Sequence, residues 1–363
     1  MEKLLEVKDL KVSFFTDLGE TQAVKGAGFA IGEGDFFGIV GESGSGKSVT
    51  TKSILRLGPS NCKIMGGEIL FRGEDILKKN EAALREIRGG EIAMIFQDSL
   101  SALNPVYTVG NKMVELIRRH TNMNKKEAKA RVLELLTAVG ITDPEKAMNS
   151  YPHELDGGRR QRIGIARALA LQPEFIVCDE PVSALDVSIQ SQVLNLLRQL
   201  QQSMGMAYIF ISHNLSVIKH ISDRVMVMYL GHVVELADKN ELFDHPSHPY
   251  TQALLSAIPV PERHSKRKKI LLQGDLPSPA NPPSGCIFHT RCFMAQEICS
   301  SQKPELKDIG NGHLCACHFC GGSCTENDKK EKSFDGMYAI FDNTKTDDEI
   351  ETVDQLTERK NKI

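Results

Sequence analysis

Short apolar runs, bounded by glycine, proline and charged residues, recur along most of the chain. Four of these runs have the length and composition of strands that are buried in a sheet. They are residues 36–40, 92–96, 175–178 and 207–211. The pattern predicts an α/β fold in which helices cover a buried sheet.

The N-terminal stretch has a different pattern. Residues 4–40 alternate apolar and polar positions between Gly and Asp turns, which predicts an antiparallel hairpin leading into the strand at 36–40. Residues 66–73 have the pattern of a further short strand that ends in a turn. Phe14, or Phe15 beside it, offers a ring face that can stack on a planar ligand, and a place in the core is the alternative.

Helical periodicity separates the apolar runs. From about residue 109 to 140, apolar residues recur at helical spacing with many charges between them, which predicts a helical insertion. Two further helices are expected at residues 49–57 and 163–171, and residues 181–186 are expected to cap another.

The sequence G-E-S-G-S-G-K-S follows the strand at 36–40 and fits the pattern G-x-x-x-x-G-K-[ST]. Its glycines allow a tight turn whose N–H groups face phosphate oxygens, and the next helix presents its positive N-terminus to the same anion. Lys47 reaches the β- and γ-phosphates, and the Ser48 hydroxyl holds Mg²⁺. A plain glycine-rich turn is the alternative. We predict a nucleotide site formed by Gly41, Glu42, Ser43, Gly44, Ser45, Gly46, Lys47 and Ser48.

Polar side chains follow three of the predicted strands. Gln97 follows the second, Asp179 and Glu180 end the third, and His213 comes just after the fourth. In open α/β sheets the ligand lies at this edge. We expect Asp179 to hold the Mg²⁺ shell and Glu180 to polarise the attacking water, with His213 bonding the γ-phosphate. A solvated turn is the alternative for the two acids, and a structural role is the alternative for the histidine.

Composition narrows the class of protein. The chain has 363 residues, of which 41% are hydrophobic and 25% charged, an ordinary globular balance with room for one large domain and a smaller one. The net charge of −3 argues against nucleic acid as the main partner. No run approaches the roughly 18 apolar residues of a membrane span, and the N-terminus lacks the apolar segment of a signal peptide. We expect a soluble, intracellular protein.

The order of these motifs resembles the ATPase subunit of ABC transporters over roughly residues 4 to 255. The resemblance implies a P-loop NTPase core with a mixed sheet, an antiparallel β subdomain and a helical insertion. It implies ATP and Mg²⁺ as ligands, with Ser48, Gln97 and Asp179 around the metal and Glu180 as the general base. Gln97 would link Mg²⁺ to the membrane subunits, and Asp186 would communicate across a dimer of ATPases. In such a dimer, each ATP lies between one P-loop and the partner's signature loop, which here is Leu155, Asp156, Gly157 and Gly158.

The segments that follow residue 244 are similar to the C-terminal extension of oligopeptide and dipeptide importers. They are H-P-S-H-P-Y-T-Q-A-L-L-S-A-I-P from 245, G-D-L-P-S-P from 274 and G-C-I-F-H-T-R-C from 285. The resemblance implies ATP-driven peptide import at the cytoplasmic face of the membrane, with two permease subunits and, indirectly, a solute-binding protein. Close relatives in this family carry nickel or other small solutes. A soluble ABC ATPase and a regulatory nucleotide-binding module are the alternatives from other classes.

Seven of the nine cysteines fall between Cys286 and Cys324. Cys286, Cys292, Cys299 and Cys317 have the spacing C-x5-C-x6-C-x17-C, and four thiolates suffice for a [4Fe-4S] cluster or a zinc site. The family resemblance favours the cluster, whereas spacing alone leaves both open. Cys315, Cys320 and Cys324 are additional and compete as ligands, and reduced free thiols are a further alternative.

Asp156 departs from the family signature, which has serine at this position. An ionised carboxylate cannot donate to a γ-phosphate, and at about 4 Å it repels one by roughly 4 kcal/mol per charge pair at an effective dielectric near 20. As a helix N-cap, aspartate is still favourable. We therefore expect a heterodimer with a related ATPase subunit that supplies an intact signature.

The predicted domains are an ABC ATPase domain at 1–255, the extension at 256–320 and an acidic tail at 321–363. From residue 325 onwards the tail has 11 acidic against 7 basic residues and no periodicity, so we expect disorder there. The basic run at 263–269 is expected to be a solvated linker, with contact to anionic lipid as the alternative.

Overall fold

The structure is a computed structural model that describes residues 3–17, 19–97, 103–258 and 269–320. Within these residues the chain forms a four-stranded sheet, in the order β2-β1-β4-β5, and an eight-stranded sheet, in the order β11-β12-β10-β9-β3-β8-β7-β6. The strands are β1 Lys3–Thr16, β2 Gly19–Gly32, β3 Phe36–Val40, β4 Cys62–Phe71, β5 Glu74–Asp75, β6 Ile92–Ile95, β7 Phe175–Asp179, β8 Ala207–Ile211, β9 Arg224–Tyr229, β10 His232–Asp238, β11 Lys307–Asp308 and β12 Leu314–Cys315.

The larger sheet is mixed, as the sequence predicted. Strands β6, β7, β8, β3 and β9 run parallel, whereas β10 and β12 pair antiparallel to their neighbours. Alternate residues of β3 enter two different cores. Phe36 and Val40 pack with the helices, and Phe37 and Ile39 pack with the antiparallel sheet. This burial on both faces explains why β3, β6, β7 and β8 are unbroken apolar runs.

The predicted N-terminal hairpin is confirmed. β1 pairs antiparallel with β2, and on its other side with β4. β4 begins at Cys62, four residues earlier than the predicted strand at 66–73, because residues 62–64 also pair with β1. This small sheet carries Phe14 and lies beside the loop that follows β3, since the Lys25 N–H on β2 donates to Gly231 O and the Gly231 N–H donates to Ser45 O.

Helices connect the parallel strands. They are α1 Lys47–Ile54, α2 Glu81–Glu86, α3 Val109–His120, α4 Lys125–Ala138, α5 Pro144–Asn149, α6 Gly157–Ala168, α7 Val187–Met204, α8 Leu215–Ile221, α9 Lys239–Asp244, α10 Pro249–Ser256 and α11 Glu297–Ser301. The predicted bounds of two helices were wrong at both ends. The helix expected at 49–57 is α1 and the one expected at 163–171 is α6; both begin and end earlier, because they start directly after Gly46 and Asp156 at their N-caps.

The helical insertion at 109–140 is confirmed as α3 and α4. The Thr108 and Asn124 side chains cap the two helices, and Asn124 forms a capping box with Glu127. Their apolar faces pack against each other and against α5 and α6. The insertion therefore supports α6, the helix that begins with the predicted signature residues.

The C-terminal extension continues the large sheet. β12 pairs with β10, and the Ala316 N–H donates to Val234 O at 2.8 Å. His313 Nε2 lies 2.7 Å from the fully buried Glu235 Oε1, which also accepts from the Ser247 N–H. The described residues belong to one compact unit, and the predicted boundary at 255/256 stays a prediction. The tail at 321–363 and most of the basic run at 263–269 lie outside the described residues.

Candidate functional site

The shape of the loop between β3 and α1 requires glycine at three positions. Gly41, Gly44 and Gly46 have φ angles of 150°, 77° and 95°, which side chains rarely allow. A Cβ on Gly41 would lie 2.2 Å from Met228 O, and a Cβ on Gly46 would lie 2.6 Å from Ala23 O. At these two glycines the neighbouring backbone leaves no room for a larger residue.

The N-terminus of α1 is open to an anion. Its N-cap, Gly46, has no side chain to accept the first N–H groups of the helix. These N–H groups and the positive end of the helix dipole meet the loop of residues 41–46. The element order of strand, glycine-rich loop and helix is therefore the one that the sequence predicts for phosphate binding.

Lys47 is buried at the base of this loop. Its Nζ donates to Gly41 O at 2.8 Å and to Glu42 O at 2.9 Å, and lies 3.3 Å from Ser45 Oγ. Burial lowers the pKa of Lys47, while the nearby carboxylates of Glu180, Asp179 and Glu42 oppose that shift. The loop thus keeps the ammonium group beside the space over the helix N-terminus, where phosphate oxygens would replace its present acceptors.

Ser48 and Asp179 meet, as predicted for a magnesium site. The Ser48 Oγ donates to Asp179 Oδ1 at 2.7 Å, and Lys52 Nζ lies 3.2 Å from Asp179 Oδ2. Asp179 is 2% exposed at the end of β7. A hydroxyl and a carboxylate are the hard oxygen ligands that Mg²⁺ takes, directly or through water. Lys52 is a site residue that was not predicted, although its position four residues after Ser48 puts both on one face of α1.

Glu180 brings together the remaining predicted catalytic side chains. Gln97 Nε2 donates to Glu180 Oε2 at 3.2 Å, and His213 Nδ1 lies 3.4 Å from the same oxygen. Glu180 has a φ of 48°, an unusual value for a residue with a side chain. Its backbone is fixed there because its N–H donates to Ile211 O and its carbonyl accepts from the Ser183 N–H. Such a conformation is typical of functional positions.

The predicted signature residues stand at the start of α6. Leu155 is buried, and Asp156 is the N-cap, accepting from the Arg159 N–H at 2.8 Å. Arg159 Nε lies 3.3 Å from Asp156 Oδ2, with both side chains more than half exposed. Gly157 and Gly158 begin the helix beside α7, since a Cβ on Gly158 would lie 3.0 Å from an Ile189 methyl. The structure therefore confirms that Asp156 caps the helix, and it places the Arg159 guanidinium beside the same carboxylate.

Asp186 caps α7. It accepts from the Ile189 N–H at 3.0 Å and from the Ser188 hydroxyl at 2.8 Å. The hydrogen bond from the Ile189 N–H holds the pKa of Asp186 below its ordinary value. The carboxylate lies at the surface, where its role in a dimer stays a prediction.

Phe14 is half-buried on β1, with Thr21 and Cys62 as its pairing partners on the two neighbouring strands. The Lys63 ammonium group lies 5.3 Å from the ring centroid of Phe15. Because the Lys63 ammonium group already covers one face of the Phe15 ring, Phe14 remains the residue that we predict to stack on adenine.

Glu42 has two partners that the sequence analysis missed. Its N–H donates to Tyr250 OH at 2.8 Å, and its carboxylate accepts from Arg291 Nη1 at 2.7 Å and Nη2 at 3.2 Å. The segments containing Tyr250 and Arg291 were noted only as family motifs. Ser43 and Ser45 complete the loop, with Ser45 buried.

The four predicted cluster cysteines line one cavity of about 10 Å³, together with His248, His289 and His318. Burial raises the pKa of Cys286, and that of Cys292 to about 11. Across the described residues, no group of three or more His, Cys, Asp or Glu side chains is arranged to hold a metal ion. Cys320 Sγ donates to Cys317 O at 3.1 Å, so an additional cysteine does neighbour the fourth predicted ligand. Cys324 lies outside the described residues.

Two protein families match the chain. The ABC transporter family matches residues 24–183, and the family "Oligopeptide/dipeptide transporter, C-terminal region" matches residues 234–299. The second match includes Cys286, Cys292 and Cys299 but ends before Cys317. None of the helices in the described ranges is long and apolar enough to span a bilayer.

Similar proteins have known names or structures. The oligopeptide transport ATP-binding protein AppF of Bacillus subtilis is 49% identical over 327 residues, which are 88% of this chain and 98% of AppF. The oligopeptide transport ATP-binding protein OppF of Salmonella typhimurium is 48% identical, covering 84% of this chain and 92% of OppF. The dimeric cassette MJ0796, from a bacterial ABC transporter, superposes with a TM-score of 0.59 at 27% identity over 65% of this chain and 98% of that one.

Proposed function

This chain belongs to the ATP-binding subunits of ABC transporters, in the oligopeptide transport branch, and from that premise we propose that it hydrolyses ATP to energise the import of peptides. The observation that carries the proposal is the convergence of four side chains at one sheet edge, where Ser48 donates to Asp179 and Gln97 donates to Glu180. We propose that the subunit works at the cytoplasmic face of the membrane, on two permease subunits that receive peptide from a solute-binding protein.

The geometry supports a mechanism in which each group has one task. The N–H groups of the loop, with Lys47, would bind the β- and γ-phosphates, and Ser48 with Asp179 would hold Mg²⁺. Glu180 accepts the proton of the water that attacks the γ-phosphorus, and the bond to the β-phosphate oxygen breaks to release ADP. Gln97, which would also complete the Mg²⁺ shell, and His213, which would also bond the γ-phosphate, lie against Glu180 Oε2 and would orient that carboxylate. Phe14 stacks on the adenine.

Asp156 supports a heterodimer. In the proposed head-to-tail dimer, its carboxylate would face the γ-phosphate held by the other chain, and Arg159 at 3.3 Å offsets only part of its charge. Exposed ion pairs of this kind are worth about 0–1 kcal/mol, less than the repulsion that the carboxylate brings. The competent site would combine this chain's P-loop, Glu180 and His213 with an intact signature of a related ATPase. Asp186 lies at the surface, where it can meet that partner.

Stimulation by substrate tests the proposed function. We expect ATP turnover by the complex of both ATPases and both permeases to rise several-fold when binding protein loaded with an oligopeptide is added. Coupling to transport is the physical reason, because the ATPases can close only together with the permeases. Unloaded binding protein is the control. Full turnover by the free chain, unchanged by the permeases and by peptide, would favour a soluble ABC ATPase instead.

The cysteine cavity supports the proposal of a [4Fe-4S] cluster, with zinc as the alternative. Four thiols around one cavity match the donor set in number and chemistry. The cavity has room for about one water molecule, so the thiols would have to move apart and lose their protons. Bound there, the group would act as a cross-link between segments that bury little core of their own.

Metal analysis tests this site. Anaerobically purified full-length chain is expected to contain close to four iron atoms, with a broad absorbance near 400 nm, or one zinc atom if the alternative holds. We expect Cys317→Ser to lower the metal content at least about tenfold and Cys320→Ser to leave it unchanged. A metal-free protein at full stability would refute both the iron-sulfur cluster and the zinc site. If Cys320→Ser loses the metal and Cys317→Ser keeps it, Cys320 is the fourth ligand.

A further inference from the structure

Arg291 joins the cysteine-rich extension to the phosphate-binding loop. It ends the short 3₁₀ helix His289–Arg291, and in sequence it lies between Cys286 and Cys292. Both terminal nitrogens of its guanidinium donate to the Glu42 carboxylate, at 2.7 and 3.2 Å. The Arg291 side chain is only 9% exposed. A bidentate pair of this kind fixes orientation as well as distance, and the partial burial of the pair limits the competition from water.

Glu42 is held at each of its polar groups. Its N–H donates to Tyr250 OH at 2.8 Å, its carbonyl accepts from Lys47 Nζ at 2.9 Å, and its carboxylate accepts from Arg291. Two of these three anchors come from residues far along the chain, in α10 and in the extension. The backbone at residue 42 therefore cannot shift without breaking a partly buried hydrogen bond.

Arg291 is itself fixed by the residues around it. Its N–H donates to Phe288 O, and the Phe288 ring packs against Tyr229 and Tyr250 with both centroid distances at 5.3 Å. Its Nε is buried and has no partner among the described residues, so this charge is compensated by the Glu42 carboxylate and by the Tyr229 hydroxyl, which lies 3.5 Å from Nη1. The hydrogen bonds to Glu42 raise the pKa of Arg291 above its ordinary value.

We propose that Arg291 is a positioning residue that acts through Glu42 on the binding of MgATP. The extension thereby sets the shape of the loop that receives the phosphates, and it contributes to nucleotide affinity from outside the ATPase motifs. A loop with glycines at 41, 44 and 46 has many backbone conformations available, and an external clamp reduces the conformational freedom lost when ATP binds. The inference rests on MgATP being the ligand of this loop.

Titration calorimetry of MgATP into the full-length chain tests the proposal. We expect Arg291→Met and Glu42→Gln each to raise the Kd about 5- to 30-fold, because either change releases the same clamp. The Kd of the double variant should be no higher than the higher Kd of the two single variants, since the two residues act as one unit. Arg291→Lys keeps the charge but loses the bidentate hydrogen bonds of the guanidinium. Its Kd should lie between those of wild type and Arg291→Met.

The matched control is Lys307→Met, which removes an exposed cation of the same extension, 3.8 Å from Glu305. Its Kd should stay within about twofold of wild type. Hydrogen exchange should show faster exchange of the N–H groups of residues 41–48 in Arg291→Met and Glu42→Gln only. Unchanged Kd values in Arg291→Met and Glu42→Gln, with or without loss of thermal stability, would contradict the proposal and leave Arg291 with a structural role only. Failure of the wild-type chain to bind MgATP would instead overturn the proposed function.

Discussion

Replacing Glu180 by Gln is expected to lower phosphate release by about 10²- to 10⁴-fold while MgATP still binds with nearly unchanged affinity. The amide has the shape of the carboxylate and can still contact Gln97 and His213, but it cannot accept a proton from the attacking water. Phosphate release under single-turnover conditions, together with the Kd for MgATP, measures the two effects separately.

Glu174→Gln is the matched control. Glu174 lies directly before the first residue of β7, at the end opposite to Glu180, and forms an exposed ion pair with Arg72. Phosphate release by this variant should match wild type. Undiminished phosphate release by Glu180→Gln would refute the assignment of the base. Loss of MgATP binding in that variant would mean that Glu180 holds the nucleotide site together instead.

Replacing Asp156 by Ser is expected to raise ATP turnover by this chain alone at least about tenfold. The change removes a carboxylate that repels the γ-phosphate by roughly 4 kcal/mol at an effective dielectric near 20, and it restores a hydroxyl that can donate. Serine and aspartate are comparable N-caps, so the free energy of unfolding should change by less than about 0.5 kcal/mol. The measurement is steady-state phosphate release by the purified chain without a partner.

Asp143→Ser serves as the control, since Asp143 caps α5 in the same way and accepts from the Lys146 N–H at 3.0 Å. It should leave turnover unchanged. If the wild-type chain alone already hydrolyses ATP at the full rate, and Asp156→Ser adds nothing, the need for a partner with an intact signature disappears.

The buried strands and the residues at their ends could be predicted from the sequence. Runs such as residues 36–40 and 175–178 are apolar because both faces of the sheet are covered, so their pattern is strong. Parallel strands end at one edge, and this alone brings Asp179, Glu180 and His213 into one place. Local patterning therefore sufficed where burial was complete and neighbouring strands shared a direction.

Other features could not be derived from local patterns. Helix α1 begins at Lys47 because Gly46 adopts a left-handed conformation, which is set by the backbone around it and not by helical periodicity. The positive φ of Glu180 depends on hydrogen bonds to Ile211 and Ser183. The contact between Glu42 and Arg291 spans 249 positions, and charge patterning along a chain carries no information about a pair so far apart.

Uptake of a labelled oligopeptide into vesicles tests the central claim most directly. The vesicles would contain both ATPases and both permeases, with binding protein outside and ATP inside. We predict ATP-dependent accumulation with the wild-type chain and accumulation near background when only this chain carries Glu180→Gln. Accumulation at the wild-type rate with the Glu180→Gln chain would contradict the account, since peptide import would then proceed without hydrolysis at this site.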